Sequence, residues 1–435
     1  MDGESTGDPG ERPSGGDAPD RAPGADDGDS RSGNRPERGF DPAARLAERE
    51  RRGLRRDLRP VERVAARTRR AVDPGGGVPA FGGEERIVFA ANDYLGLAGD
   101  ERVSEAAARA AREVGTGAGA SRLVTGDTGL HRELERDLAA YEGTDRALVF
   151  SSGYAANVGA IGALAPDAIF SDELNHASIV DGCRISGAET VVYDHCDADA
   201  LAAAMDRRAA SGGDERWLVV TDSVFSMDGD VAPLARICEV AERHGAWVMV
   251  DEAHATGLYE GGGIVGRESL GDRVHVRVGT LSKALAAQGG FVAGGEALIE
   301  YLLNAARSFV FSTGLAPPAV GAAREALSIA SDGDRRSRLW ENAARLREGL
   351  ESQGYRVPGE TQILPVVVGD GADALALADR LEERGIVAPA IQPPTVPEGT
   401  SRIRVAPQAT HTDGEVDRCL AAFEAAGREL GLIDP

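Results

Sequence analysis

The chain contains only one lysine, Lys283, although lysine and arginine together account for 48 residues. Every other fixed positive charge is therefore an arginine. A lysine amine can lose its proton and form an imine with a carbonyl group, whereas an arginine guanidinium stays protonated. Lys283 follows the run Val276–Thr280, which predicts a short strand and then a turn. A solvated surface lysine is the alternative, but a sole lysine directly after a strand favours an imine-forming amine.

Cysteines are few, and no two of them form a Cys-x-x-Cys pair. The four are spread along the chain, as Cys183, Cys196, Cys238 and Cys419. This spacing matches neither a disulfide framework nor a zinc site, so we expect no bound metal and a reducing compartment. The chain also lacks an apolar run long enough to span a membrane and a basic-then-apolar signal at its start. We therefore expect a cytoplasmic protein that does not enter a membrane.

Basic residues are outnumbered by acidic ones, 48 against 71, which gives a formal net charge of −23. A charge of this sign disfavours binding to nucleic acid or to an anionic membrane surface. Aromatic residues make up only 5% of the chain. Acid excess, arginine in place of lysine and few aromatics together favour a halophilic protein, because high salt screens the repulsion among its charges.

The first 39 residues contain no Val, Ile, Leu, Phe, Tyr or Trp. Such a segment cannot bury enough apolar surface to offset the entropy of ordering it, so we predict a disordered acidic tail over residues 1–40. Apolar residues return at helical spacing over 41–70, and 87–90 is typical of a short strand. Residues 41–90 are therefore predicted to form an N-terminal helix and a strand.

Short buried strands alternate with helical segments over residues 91–315. The predicted strands are 147–150, 168–170, 190–193, 217–220, 247–250, 276–280 and 290–293. This alternation predicts an α/β fold with a large, mainly parallel seven-stranded sheet covered on both faces. Residues 316–435 are predicted to form a smaller C-terminal α/β lobe, with helices at 319–349, 372–384 and from about Asp413, and strands at 363–368 and 403–405.

Parallel sheets bind ligands at the carboxyl ends of their strands, so we expect functional groups among the polar residues that follow each strand. Asp251 and His254 follow the predicted strand 247–250. An acid at this place can pair with a protonated ring nitrogen of a cofactor and so maintain an electron sink. The alternative is that Asp251 caps a helix. Lys283 further along the chain favours the cofactor interpretation.

Three other strand ends carry polar clusters. Ser226 follows 217–220, and His176 follows 168–170. The small residues around Gly153 precede a predicted helix, where free backbone N–H groups can bind a phosphate. The glycine-rich segment 115–126 has no lysine after it, so it is not a nucleotide P-loop. It is either a flexible loop or a point of close backbone approach to a ligand or a second subunit.

From about residue 41 onward these motifs resemble the α-oxoamine synthases, a family of fold type I pyridoxal 5′-phosphate (PLP) enzymes. The motifs that carry the resemblance are Asn-Asp-Tyr-Leu-Gly (92–96), Gly-Ala-Ser-Arg (119–122), Ser-Gly-Tyr (152–154), Asn-His-Ala-Ser (175–178), Val-Phe-Ser-Met-Asp-Gly-Asp (224–230), Asp-Glu-Ala-His (251–254), Thr-Leu-Ser-Lys (280–283), Phe-Ser-Thr (311–313) and Pro-Thr-Val-Pro (394–397). The resemblance implies the PLP-dependent transferase fold of type I, with PLP as the cofactor.

The resemblance also implies roles for the strand-end residues. Lys283 would bind PLP as an imine and afterwards move a proton. Asp251 would pair with the pyridine nitrogen, and His176 would stack over the ring. His254 and Ser226 would lie on the side of the ring oxygen. Lys283, His176, Asp251 and His254 are thus the predicted catalytic residues.

The remaining implied contacts concern the phosphate and the substrates. Gly153, Tyr154 and Thr280 would lie at the phosphate end, and Ser312 and Thr313 would reach across from the second subunit of a homodimer with shared active sites. The predicted substrate contacts are Arg404 and Asn92, for the carboxylate of a small amino acid, and Arg55 and Thr395, for the acyl group.

The implied reaction is a decarboxylative condensation of an amino acid with an acyl-CoA or an acyl carrier protein thioester. The sequence is most similar to the biotin-forming branch, which joins L-alanine to a pimeloyl thioester. Gln392 departs from this branch, which often has an arginine there. The branch that joins glycine to acetyl-CoA is the nearest alternative.

Two alternatives come from other classes. A PLP aminotransferase usually carries a phosphate-binding arginine shortly after the lysine, whereas Phe291 stands at that place. A non-catalytic regulator of the same fold would need a DNA-binding module, which the acidic tail cannot supply.

Overall fold

The computed structural model describes residues 39–52, 54–56, 58–72 and 77–434. The predicted acidic tail, apart from its last two positions, lies outside the described residues. The chain divides into two compact units, Met1–Leu58 and Arg59–Pro435.

The described part of the first unit holds one helix, α1 (Pro42–Arg51). The Asp41 side chain accepts a hydrogen bond from the backbone N–H of Ala44, 2.9 Å away, and so caps the helix start. The prediction of helical structure as far as residue 70 is wrong beyond Arg51. Gly53 and Pro60, the residue types least compatible with a helix interior, follow in the sequence.

A seven-stranded sheet forms the centre of the second unit. Its strands are β3 (Arg146–Phe150), β4 (Ala168–Asp172), β5 (Glu189–Tyr193), β6 (Trp217–Asp222), β7 (Trp247–Asp251), β8 (Val276–Thr280) and β9 (Gly290–Gly294). The spatial order is β3-β9-β8-β7-β6-β4-β5, and only β9 runs antiparallel to its neighbours. All seven predicted strands are confirmed, as is the mainly parallel sheet.

Helices accompany this sheet, and successive residues along its strands enter different apolar clusters. Ile169 and Phe170 of β4, for example, belong to separate clusters, as expected when both faces of a sheet are covered. The helices of this region are α2 (Glu101–Glu113), α3 (Gly129–Glu142), α4 (Gly153–Leu164), α5 (Ala177–Ser186), α6 (Ala198–Ala209), α7 (Leu234–Arg243), α8 (Ile264–Arg267), α9 (Glu296–Ala305), α10 (Arg307–Val310) and α11 (Pro317–Asp332).

The C-terminal lobe has its own apolar core and small sheets. Its elements are α12 (Asp334–Ser352), β10 (Leu364–Gly369), α13 (Gly371–Glu383), β11 (Ile386–Val387), β12 (Ala390–Ile391), β13 (Ser401–Val405) and α14 (Asp413–Glu429). Strand β13 lies between β10 and β12 and is antiparallel to both. Strand β11 joins β1 (Arg67–Thr68) and β2 (Arg86–Val88) in a further sheet. The smaller α/β lobe is thus confirmed.

The single helix predicted over 319–349 is wrong, because the structure has two helices, α11 and α12, which meet at Gly333. Gly333 has a φ of +85°, a left-handed conformation that ends one helix at low cost only for glycine. Along the part of the chain that the structure describes, no helix is both long and apolar enough to cross a lipid bilayer.

Candidate active site

The candidate site lies at the carboxyl ends of the parallel strands, where the sequence predicted it. Strands β6 and β7 pair in parallel so that Asp222 lies beside Asp251 at their last positions. Strand β8 pairs with β7 on the other side, and Lys283 follows its last residue, Thr280, by three positions. The register of three neighbouring strands therefore brings two carboxyl groups and the only lysine to one edge of the sheet.

Lys283 is half-buried, and within the described residues its amine makes no hydrogen bond or ion pair. Burial lowers the pKa of the amine, because the ammonium form loses hydration there. The charges of Asp251 and Asp222 act in the opposite direction, and that of Arg404 lowers the pKa further. The result is a larger neutral fraction of amine, the form that attacks a carbonyl or accepts a proton.

Asp251 is buried and receives two hydrogen bonds. The Asn157 side-chain amide on α4 donates to Oδ2 at 2.6 Å, and the Ala253 backbone N–H donates to Oδ1 at 2.8 Å. No helix begins at Asp251, since turns follow it until α8 starts after Gly263. The helix-cap alternative is therefore wrong. Asn157 was not identified from the sequence, because nothing in a helical Asn marks a contact with a residue 94 positions away.

Asp222 was also missed, although the rule used for the other strand ends applies to it. Burial raises its pKa well above the usual range, and the neighbouring Asp251 charge raises it further. Its Oδ2 accepts a hydrogen bond from the backbone N–H of His176 at 2.8 Å. Asp222 thus fixes the start of the segment that carries His176.

His254 is buried, and its Nδ1 lies 2.7 Å from the hydroxyl of Tyr94. Burial lowers the pKa of His254 well below its usual value, and the charge of Lys283 lowers it further. The Gln362 side chain from the C-terminal lobe donates to the His254 backbone carbonyl at 2.8 Å. His254 is therefore a neutral imidazole held in place from two directions. Tyr94 and Gln362 had no role assigned from the sequence.

Arg404 on β13 is only 5% exposed, yet its described partners are all neutral. Its Nε donates to the Ser226 backbone carbonyl at 2.6 Å. Its Nη2 donates to Asn92 Oδ1 at 3.0 Å and to the Tyr94 hydroxyl at 3.3 Å. Within the described residues no carboxylate pairs with it. The predicted residues Arg404, Asn92 and Ser226 thus lie together, with Ser226 contributing its backbone.

His176 precedes α5, and its Nδ1 faces Ser178. The Ser178 hydroxyl lies 2.7 Å from Nδ1, and the Ser178 backbone N–H donates to the same atom at 3.3 Å. The residue keeps an exposed portion, but partial burial lowers the pKa of its imidazole, with the charge of Asp251 opposing and that of Lys283 adding.

The start of α4 lies against the end of β8. A Cβ atom added at Gly153 would lie 3.3 Å from the Cβ of Thr280. The Ser152 hydroxyl accepts from the Ala155 N–H, but within the described residues no partner is recorded for the N–H groups of Gly153 and Tyr154. Two free N–H groups at the start of a 12-residue helix form an anion-binding position. The Tyr154 side chain itself is exposed.

Two of the predicted residues, Ser312 and Thr313, lie in the loop after α10. The Ser312 hydroxyl donates to the Thr313 carbonyl at 3.3 Å, and Thr313 forms an antiparallel bridge with Ser121 of the glycine-rich segment. Within the described residues, no hydrogen bond is recorded between Ser312 or Thr313 and Lys283.

The two predicted acyl contacts, Thr395 and Arg55, have other partners in the structure. Thr395 is exposed, and its backbone N–H donates to the Gln392 carbonyl at 3.0 Å. Arg55 belongs to the first compact unit, where its guanidinium pairs with Glu50 at 3.1 Å.

Asp172, His195 and Cys196 lie close enough together to suggest a metal site. His195, however, donates through both ring nitrogens, from Nδ1 to Asp172 at 3.0 Å and from Nε2 to Asp230 at 3.2 Å. Burial opposes protonation of His195, but the two carboxylates prevail and raise its pKa to about 12. His195 therefore links Asp172 and Asp230 through ion pairs.

Comparisons with known proteins identify the family of this chain. The family model for aminotransferases of class I and II matches residues 84–423. The chain belongs to the aminotransferase class I and II family. Among curated members of this family, the 8-amino-7-oxononanoate synthase of Anaeromyxobacter dehalogenans strain 2CP-1 is 50% identical over 88% of this chain and 94% of its own length. The 8-amino-7-oxononanoate synthase 2 of Bacillus subtilis is 44% identical over 81% of this chain and 90% of its own length.

Solved structures of the family show the same fold. Serine palmitoyltransferase of Sphingomonas wittichii superposes with a TM-score of 0.83 at 33% identity, covering 90% of this chain and 98% of its own. The 8-amino-7-oxononanoate synthase of Francisella tularensis gives a TM-score of 0.66 at 26% identity, covering 80% and 98%. The resemblance to α-oxoamine synthases and the fold type I assignment are therefore confirmed.

Proposed function

We propose that this enzyme condenses L-alanine with a pimeloyl thioester and releases 8-amino-7-oxononanoate, CO2 and the thiol carrier, a step of biotin formation. The observation that carries the amino-acid half of this proposal is Arg404. Its buried guanidinium has only neutral partners within the described residues, so it can bind the carboxylate of an amino acid. The curated relatives named above support the choice of product.

The residues present fit PLP as the cofactor, held in a large domain that we assign to residues 91–315. The amine of Lys283 has no competing partner and a lowered pKa, as imine formation requires. Asp251, whose side chain accepts two hydrogen bonds within the chain, would pair with the protonated ring nitrogen. The free N–H groups at the start of α4, beside Thr280, suit a phosphate. His254 and Ser226 would contact the ring oxygen side, and His176 would cover the ring.

The chain's own residues then perform the remaining steps. Arg404 and Asn92 bind and orient the substrate carboxylate, with Arg404 contributed by the small domain that we assign to residues 316–435. Lys283, as a neutral amine, accepts the α-proton of the amino acid at Nζ. When bound, PLP supplies an electron sink for the charge that proton removal leaves on the α-carbon. The α-carbon attacks the thioester carbonyl and the C–S bond breaks, so the carrier leaves as a thiolate that takes a proton from solvent. The carboxylate departs as CO2, and the Lys283 ammonium returns its proton to the α-carbon.

A homodimer with shared sites is part of this proposal. Leu123, Val124 and Phe311 are large apolar residues with half or more of their surface exposed, on the glycine-rich segment and on the loop that carries Ser312 and Thr313. Ser121 and Thr313 join these two segments, so the exposed residues belong to one region. Covering such a region with a second copy would bury its apolar surface and could place Ser312 and Thr313 at the partner's phosphate end.

The acyl half of the reaction depends on Arg55 and Thr395, because Gln392 is engaged elsewhere. The Gln392 side-chain amide donates to the backbone carbonyl of Gly371 at the start of α13. A terminal carboxylate on the acyl chain therefore needs another cationic partner, for which we propose Arg55. The glycine and acetyl-CoA reaction needs no such partner and is the second candidate on this observation.

The decisive experiment incubates purified protein and PLP with alanine, glycine or serine in turn, each with a series of acyl-CoA thioesters, and measures thiol release. The proposal expects alanine with pimeloyl-CoA to give the highest kcat/KM. A parallel reaction with pimeloyl-acyl carrier protein identifies the carrier. Faster turnover of glycine with acetyl-CoA would overturn the assignment to biotin formation. Amino transfer without thiol release would overturn condensation altogether.

We also propose that the enzyme is cytoplasmic and halophilic. The support is the net charge of −23 and the presence of one lysine among 48 basic residues. Repulsion among so many acidic groups falls as the screening length shortens in salt. Melting temperature should therefore be clearly higher in multimolar than in low potassium chloride. Equal values would count against this proposal.

A further inference from the structure

A chain of hydrogen bonds links Asp251 to His176 through two residues with no assigned role, Asn157 and Ser178. The Asn157 amide nitrogen donates to Asp251 Oδ2 at 2.6 Å and to the Ser178 hydroxyl oxygen at 2.9 Å. The Ser178 hydroxyl oxygen lies 2.7 Å from Nδ1 of His176. Asn157 and Ser178 are each only 1% exposed, so both side chains are shielded from bulk water.

The groups at the two ends of this series of hydrogen bonds determine which atom donates in each bond. The Asp251 carboxylate only accepts, so the Asn157 amide must turn its nitrogen toward it. The second N–H of that amide then points at Ser178, whose oxygen accepts it. The Ser178 hydroxyl proton is left to donate to His176 Nδ1.

An independent contact fixes the same direction. The backbone N–H of Ser178, which can only donate, also points at Nδ1 of His176, at 3.3 Å. Nδ1 therefore accepts two hydrogen bonds and carries no proton. The imidazole is neutral, its single proton is on Nε2, and within the described residues no partner is recorded for Nε2.

We propose that Ser178 and Asn157 are positioning residues that hold His176 as the neutral Nε2–H tautomer and so present a hydrogen-bond donor to the substrate. Donation to the substrate rests on the function proposed above, whereas the tautomer is a property of this chain's own residues. A proton on Nδ1 would point at the Ser178 backbone N–H, which is also a donor. The Ser178 hydroxyl would then have to donate its hydrogen bond to another acceptor. Because Asn157 contacts both Asp251 and Ser178, the hydrogen bonds that orient His176 also orient the Asp251 carboxylate.

The charged and titratable groups around His176 come from four elements. Asp251 at the end of β7 favours the protonated imidazole, and Lys283 after β8 disfavours it. Asp222 at the end of β6 accepts the His176 backbone N–H, and His254 interacts electrostatically with His176. On its own helix the nearest charged residues are Asp181 and Arg184, which pair with each other at 3.4 Å. Burial and the Ser178 donors act together against protonation.

The test is a pH titration of the holoenzyme labelled with 15N-histidine, in which the 15N NMR signals of the imidazoles are followed. The chain has only seven histidines, so few signals overlap. The His176 signals are assigned by their absence in His176→Gln. We expect unmodified His176 to show an unprotonated Nδ1 and a protonated Nε2 at neutral pH. Ser178→Ala removes the hydroxyl donor and should raise the pKa of His176 by about half to one unit, with a mixture of tautomers. The acid limb of the kcat/KM profile should move upward by the same amount.

Matched variants separate this effect from a structural one. Ser178→Thr keeps a hydroxyl at the same place and should restore the tautomer and the pKa. Ser186→Ala removes another α5 hydroxyl, which binds the Cys183 carbonyl at the far end of the helix, and should change neither. Asn157→Ala should shift the pKa in the same direction as Ser178→Ala but by less, because the Ser178 donors remain.

A protonated Nδ1 in the unmodified enzyme, or an unchanged His176 titration in Ser178→Ala, would overturn the proposal. If Ser178→Ala does not fold, Ser178→Cys supplies a weaker donor, and its titration should lie between those of the Ser and Ala forms. These signals do not depend on which acyl thioester reacts. Failure of the biotin assignment would therefore leave the tautomer result intact, and the reverse also holds.

Discussion

Two buried arginines, Arg122 and Arg404, show how differently this chain treats a buried positive charge. Arg122 is 7% exposed and binds Glu135 through two hydrogen bonds of 2.8 and 3.1 Å, while its Nε donates to Asp127 at 2.7 Å. Arg404 is 5% exposed and has only carbonyl, amide and hydroxyl partners among the described residues. An unpaired buried charge is costly, and an anionic substrate bound at Arg404 would offset that cost.

The histidines repeat this contrast. His195 lies between two carboxylates, which raise its pKa to about 12 and make it a permanent cation of the fold. His176 and His254 have hydroxyl partners on Nδ1, and burial lowers the pKa of each. Arg122 and His195 are thus paired with carboxylates of the chain itself. Arg404, His176 and His254 have no carboxylate partner among the described residues, which is the state that proton transfer and anion binding require.

Replacement of Lys283, the extreme case of an unpaired basic group, should have the largest effect. Lys283→Ala should abolish both turnover and the visible absorbance of the cofactor imine, because the chain has no second lysine. Lys283→Arg, which restores the charge but not a removable proton, should be equally inactive. Absorbance spectra and thiol release measure the two effects. Turnover above background in either variant would contradict the role of this amine.

Asp251 tests whether the acid at the strand end acts on the cofactor. Asp251→Asn keeps the shape but cannot favour a protonated ring nitrogen, so the rate should fall by about two orders of magnitude or more, with modest loss of PLP affinity. Asp199→Asn is a suitable control, because Asp199 is an exposed acid that pairs with Arg236. An unchanged rate in Asp251→Asn would restrict Asp251 to a structural role.

The same substitution, arginine to glutamine, should affect activity at Arg404 and stability at Arg122. Arg404→Gln should lower kcat/KM for alanine by about one to two orders of magnitude, the value of a lost charged hydrogen bond, with little change in stability. Arg122→Gln leaves Glu135 and Asp127 without their buried cation and should reduce the free energy of unfolding by about 3–5 kcal/mol, with nearly normal kcat/KM when folded. Denaturant titration and steady-state kinetics on both variants are required. Equal profiles would remove the distinction between the two arginines.

The sequence predicted the strands well because each is a short, strongly apolar run, and periodicity is local information. It failed where one residue redirected the backbone, as at Gly333 between α11 and α12. The strands β11 and β12, of two residues each, were too short to leave a periodic signal. The helix predicted as far as residue 70 ends at Arg51, because helical spacing does not reveal how far a helix extends.

The site was predicted as a set of strand-end groups, which topology alone brings together. Its connecting residues were not, because their contacts cross long stretches of chain. Tyr94 meets His254 across 160 positions, and Asn157 meets Asp251 across 94. A single sequence contains no trace of such pairings. Asp222 is different, since its place after β6 is the same signal that identified Asp251 after β7.

Replacement of Arg55 should have the smallest and most selective effect. It tests whether an arginine that already pairs with an acid of the chain can also bind a substrate carboxylate. Its described partner, Glu50, is an acid, which by the pattern above is typical of a structural arginine. The Arg55 and Glu50 side chains are, however, 45% and 61% exposed, and an exposed pair contributes only about 0–1 kcal/mol. Loss of the Glu50 pair itself would therefore cost little. Arg55→Ala should lower kcat/KM for pimeloyl-CoA by about one to two orders of magnitude and leave acetyl-CoA nearly unaffected. Glu50→Gln, which removes the competing acid, should leave both unchanged or improve pimeloyl-CoA slightly. An equal loss for both thioesters in Arg55→Ala would show that Arg55 supports the fold and that the acyl carboxylate is bound elsewhere.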